Sequence, residues 1–197
     1  MCDALNIFFN QKHVQQAKPT LFKEVMEMNW YVMQVRSGHE REIADRCRFL
    51  ISNDILHECF IPEFVARKKF RGVWQDVRCV LFRGYVFMIT EHIEELYVEL
   101  KKIPDLTKII GKKKDVIYPL EDGEEEFLKR FAGDDHLVDM SVGFIEGETI
   151  HISEGPLKGY EGMITKIDRH KRIAYISLHI FGNDTTAKVG LEIISKN

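Results

Sequence analysis

Residues 153–176, reading SEGPLKGYEGMITKIDRHKRIAYI, limit the fold of this chain more than any other stretch. Gly155, Gly159 and Gly162 are spaced for tight bends, and Pro156 fixes φ beside the first of them. Side chains with a Cβ are largely barred from the backbone conformations such bends use, so the segment demands turns rather than a helix. TIHIS runs ahead of it, GMITKID and RIAYISLHI flank a charged turn, and TTAKVGLEII closes the series. Short strands at this spacing predict a small SH3-like barrel over residues 144–197.

A second unit is expected upstream. Residues 30–36 alternate as a buried strand, and Ser37 with Glu40 has the form of a capping box opening a helix through Ile43, Cys47, Leu50 and Ile51. CFIPEFVARKKF and VWQDVRCVLF then read as a hairpin turning at Arg71-Gly72, followed by the strand GYVFMIT. Ile93, Leu96, Tyr97, Leu100 and Ile103 mark a second helix stopped by Pro104. LTKII is a short strand, and a last helix from about Asp122 to Phe131 places Glu in its first turn and Lys129 and Arg130 in its last. The order β, α, β, β, β, α, β, α predicts an α+β domain over residues 30–131. Residues 132–143 read as a linker. Residues 1–29 lack a sustained period and read as a disordered leader or upstream extension, with Met26 and Met28 as alternative starts.

The net charge of −3 hides an uneven distribution. Residues 134–149 hold five acids and no Lys or Arg, whereas residues 150–197 hold seven Lys and Arg against five acids. The barrel is therefore the net-positive part, and charge at the contact surface is what counts for binding an anion. No apolar run approaches a membrane span, and the opening lacks a signal-peptide pattern, which predicts a cytoplasmic protein without membrane contact. Cys2, Cys47, Cys59 and Cys79 form no CxxC pair and show no metal spacing with the histidines. GPLKGYEG lacks the Lys-Ser/Thr of a phosphate loop, and neither GxSxG nor HExxH occurs. No catalysis, metal or cofactor is expected.

The glycine turn, the strand with its acid and the basic hairpin together resemble the KOW motif of the NusG family. WYVMQVRSGHE, RGYVFM, the helix after it and IPDLTKIIG fall in the order of that family's N-terminal domain, NGN, so the resemblance covers about residues 30–196. It implies an NGN sheet that grips the clamp helices of the largest RNA polymerase subunit through an apolar patch, with the protein acting as a monomer. Tyr31, Phe82, Gly84, Tyr85 and Phe87 fall at the matching positions, and rigid aromatic rings suit such a contact. One departure stands among them: the family commonly has Pro-Gly-Tyr-Val where this chain has Arg83-Gly84-Tyr85-Val86.

Clustered cations reward phosphate binding. On the hairpin these are Arg67, Lys68, Lys69 and Arg71, and Lys112, Lys113 and Lys114 form a further run; a solvated hairpin tip and loop is the competing reading. On the barrel they are Lys158, Lys166, Arg169, His170, Lys171 and Arg172, with Tyr160 available to stack a base. The resemblance implies two versions of function. A specialised paralogue of the LoaP antitermination type would hold nascent RNA, such as a leader hairpin, on its KOW domain. A general elongation and termination factor would instead use KOW to engage a termination factor or the small ribosomal subunit. A structural ribosomal RNA-binding protein is the remaining option, opposed by the NGN half and the net acidity.

Overall fold

The computed structural model describes residues 28–104, 106–113 and 116–194. Most of the expected leader, and Lys114, lie outside the described residues. The N-terminal lobe is built on strands β1 (Asn29–Val35), β2 (Glu58–Phe60), β5 (Tyr85–Thr90) and β6 (Leu106–Ile109), ordered β2-β5-β1-β6 with antiparallel pairing. Successive side chains on a strand point to opposite faces. Trp30, Val32 and Phe87 therefore face one way, while Tyr31, Met33, Val35, Val86 and Met88 face the other. The second face is closed by helices α1 (Glu40–Leu50) and α2 (Ile93–Leu100), which bury Ile43, Ala44, Cys47, Leu96 and Leu100 against it.

Strands β3 (Glu63–Phe70) and β4 (Val73–Val80) form the expected hairpin, turning at Arg71-Gly72 with both residues at positive φ. That conformation gives a two-residue turn whose twist matches its strands. The run CFIPEF is not one strand: Pro62 has no N–H for a ladder, so β2 ends ahead of it and β3 starts after it with new partners. The lysine run opens a minimal hairpin, β7 (Lys112–Lys113) with β8 (Val116–Ile117), absent from the expected order. Helix α3 (Asp122–Ala132) lies over the first face and buries Leu128 and Phe131 there.

The Ser37–Glu40 capping box is not formed. His39 is the N-cap of α1, and Glu40 is itself buried, its carboxylate accepting the N–H of Gly38 at 2.9 Å and of Gly84 at 2.7 Å. The supposed cap residue instead ties the helix to the turn before β5.

The segment expected as a linker is structured. Strand β9 (Leu137–Val138) pairs in parallel with β3, and Val138 is fully buried. The barrel begins at Ser141, with β10 (Ser141–Glu146), β11 (Thr149–Glu154), β12 (Ile164–Asp168), β13 (Ile173–Ile180) and β14 (Asn183–Ile193) ordered β11-β10-β14-β13-β12. Gly155, at φ +96°, sits where a Cβ would come within 2.6 Å of the Ser141 Cα. Ser141 Oγ in turn accepts the Leu157 N–H at 3.1 Å, so the glycine turn folds back onto the first barrel strand. Gly162, by contrast, has neither a positive φ nor a near neighbour. One continuous apolar cluster runs from Trp30 and Phe87 through Phe131 to Ile176 and Leu191, joining the barrel to the first face of the NGN-like sheet.

Candidate functional site

Three of the expected aromatics gather on that first face. Phe82 and Phe87 are buried, and Tyr85 is half-buried beside them. Tyr31 does not join them: strand alternation sends it to the opposite face under α1 and α2, where burial and the nearby charge of Glu94 raise its phenol pKa. Gly84 holds the turn ahead of β5, at φ +82°, and its carbonyl accepts the Val35 N–H at 2.8 Å.

The three rings are capped by a fourth that sequence reasoning missed. Phe181, in the β13–β14 turn, stacks on Tyr85 with centroids 4.8 Å apart and meets Phe82 at 5.7 Å and Phe87 at 5.8 Å. Phe181 and Gly182 have φ of +60° and +68° between the closing pair Ile180 and Asn183. A turn with both central residues at positive φ favours Asn-Gly, and a bulky residue at the first position is strained. The Phe-Gly pair was thus a signal in plain view.

Around this contact the two lobes are joined by specific groups. The Phe181 N–H donates to Glu124 Oε1 at 2.7 Å, while Glu124 Oε2 accepts the Glu121 N–H at 3.3 Å at the start of α3. Gly190 on β14 runs so close to β3 that a Cβ there would lie 2.3 Å from the Val65 carbonyl oxygen and 2.1 Å from Met140 Sδ. Glu192 accepts Arg67 Nη1 at 2.7 Å from one lobe and pairs with Arg172 Nη1 at 3.2 Å from its own. The Arg172 guanidinium also lies 4.1 Å over the Trp74 ring. Tyr160 is set edge-on to Phe127 and Phe131 of α3, so in this arrangement its ring packs on the helix instead of standing free to stack a base.

The cations divide into engaged and open groups. Arg67 bridges Asp76 and Glu192, Lys171 pairs with Asp168 at 3.2 Å, and Arg172 is half-buried. Lys68, Lys69 and Arg71 are exposed along the hairpin and its tip, as are Lys158, Lys166, Arg169 and His170 on the barrel. Hairpin and barrel cations, far apart in sequence, border one cleft of about 740 Å³. Among the described residues no three His, Cys, Asp or Glu converge as a metal site. Cys47, Cys59 and Cys79 are free thiols, and no described helix is long and apolar enough to cross a membrane.

Comparison with known proteins agrees with this architecture. A family model described as transcription termination factor nusG matches residues 28–129. The chain is 26% identical over 178 residues to the transcription termination/antitermination protein NusG of Bacillus subtilis, covering 87% of this chain and 99% of that one. The protein of the same name from Buchnera aphidicola is 25% identical over 179 residues, covering 88% and 99%. A solved structure titled "Domain interaction in Thermotoga maritima NusG" superposes with a TM-score of 0.52 at 22% identity, over 84% of this chain and 94% of that chain, a likeness of fold.

Proposed function

The chain belongs to the NusG family, whose members are transcription factors and not enzymes, and from that premise we propose that it binds RNA polymerase through the Phe82–Tyr85–Phe87 face and promotes processive antitermination. Its KOW barrel contacts nascent RNA through the exposed Lys158, Lys166, Arg169 and His170. The observation that carries the proposal is the aromatic face itself: Tyr85 and Phe87 on β5 and Phe82 in the turn before it, all three met by Phe181 from the barrel. Apolar surface of this kind is a binding face when uncovered. In the docked arrangement it is closed, so the barrel must leave before polymerase is gripped, and the affinity for polymerase is reduced by the fraction of molecules that are docked.

Polymerase capture by the full chain tests the reading. Phe181→Asn removes the capping ring and is expected to raise capture; Tyr85→Ala, placed on top of it, is expected to abolish the gain. Capture indifferent to Tyr85→Ala would end the assignment of the face. Transcription across a terminator tests the second half, with readthrough expected when the protein is added and increased termination contradicting antitermination.

A further inference from the structure

The cleft between the β3–β4 hairpin and the barrel has a size that suits a small ligand or a short stretch of chain. Its floor is apolar, from Phe64, Leu81 and Ile173, and Trp74, Tyr85 and Tyr175 bring aromatic rings to its wall. Lys68, Lys69 and Arg83 border it from one lobe, His170 and Lys188 from the other. None of these five comes within ion-pair distance of a carboxylate among the described residues: Asp76, Glu192 and Asp168 are engaged by Arg67, Arg172 and Lys171, and Arg83 and His170 act on Glu40 and Asp168 only at longer range. None of the described lining residues is Asp or Glu, in a chain with 31 acids against 28 Lys and Arg. Lys188 Nζ and Lys166 Nζ lie over the Tyr175 ring, 5.4 Å and 5.6 Å from its centre, and the Arg172 guanidinium lies over Trp74, so cations and rings are set side by side along this wall.

Open cations set beside aromatic rings suit a ligand that alternates phosphate charge with planar bases. An acidic peptide would answer the cations and leave the rings unused. A duplex keeps its bases stacked inside and offers no free base face to Trp74 or Tyr175. We infer that the docked form of this protein binds a short single-stranded nucleic-acid segment in the cleft, with Lys68, Lys69, Arg83 and Lys188 on its phosphates and a base against the Trp74–Tyr175 wall. This goes beyond RNA contact by the barrel alone, since neither lobe supplies the site without the other. By linkage, a strand that binds only the docked form stabilises docking and opposes exposure of the aromatic face.

Fluorescence anisotropy of the full chain with a labelled oligouridine of about six nucleotides reads the site. Binding is expected to weaken with salt, and Lys68→Ala/Lys188→Ala to weaken it about tenfold or more. Lys101→Ala/Arg130→Ala, exposed cations outside both the cleft and the barrel's RNA-contacting group, is expected to change it by less than about twofold. Phe181→Asn and Gly190→Val leave every cleft cation in place yet separate the lobes, and each is expected to weaken binding about tenfold; circular dichroism checks that both variants fold. Binding that survives both undocking variants but fails with Lys158→Ala/Arg169→Ala overturns the composite site. So does preferential displacement by an RNA hairpin or polyglutamate, and displacement by free uridine monophosphate as efficient as by the strand assigns the cleft to a nucleotide instead. No polymerase enters the assay, so its outcome and that of polymerase capture are read separately.

Discussion

Phe181 accepts a left-handed backbone that Asn or Gly would adopt at lower cost, and the ring contacts of the docked form are what it gains in exchange. Strain of this kind is of order 1–3 kcal/mol. Phe181→Asn is therefore expected to leave the barrel's own thermal stability unchanged or raised by about 1 kcal/mol, as scanning calorimetry would show, while removing the cap on Tyr85. Barrel unfolding in this variant would contradict the division between turn strain and docking contact. Gly155→Ala is the opposite case: at φ +96° with the Ser141 Cα 2.6 Å from the added carbon, it is strained and crowded together. It is expected to cost about 1–3 kcal/mol, measured as a lower denaturant midpoint. Of the three glycines that mark the segment in sequence, Gly155 carries the steric demand and Gly162 carries none, a distinction spacing does not reveal.

At the scale of elements, Glu40 shows how a local pattern misleads. Ser-x-x-Glu ahead of an apolar helix reads as a capping box, yet the carboxylate reaches across to the turn at Gly84. Burial acts to raise its pKa, but the N–H groups of its own residue, Gly84 and Gly38, with the charge of Arg83, outweigh that and hold the carboxyl below its ordinary range. A depressed carboxyl pKa stabilises the fold above the unfolded value near 4.5, and the contribution disappears as pH falls through the folded value. Glu40→Gln is expected to destabilise the N-terminal lobe by about 1–3 kcal/mol at neutral pH, and to flatten the acid side of the stability profile obtained by urea titration. An unchanged acid slope would show that Glu40 makes no such contribution. The β3–β4 hairpin, the three helices and the barrel strands are legible because period and turn chemistry are local properties. The break at Pro62 is legible too, once the missing N–H is weighed. The β7–β8 hairpin is not, since two-residue strands carry no period.

The arrangement of the whole molecule is the part least visible in sequence. Docking rests on the close approach of Gly190 to Val65, on Glu192 shared by Arg67 and Arg172, and on Phe181 over Tyr85; each joins residues distant along the chain. Residues 132–143 read as a linker by composition, whereas the pairing of β9 with β3, and His136 stacked on Phe60 and bonded to Glu58, hold the barrel near the sheet. The expected polymerase contacts split for the same reason, since strand alternation separates Tyr31 from Phe87 in three dimensions while the letters merely run WYV and YVF. One aromatic face is proposed both to receive the barrel and to grip polymerase. The most direct test is the affinity of purified RNA polymerase for the full chain, for Phe181→Asn, and for Phe181→Asn/Tyr85→Ala. Binding about tenfold or more tighter is expected for the first variant, with loss of that gain in the second. Equal affinity for all three would contradict this shared use of the face.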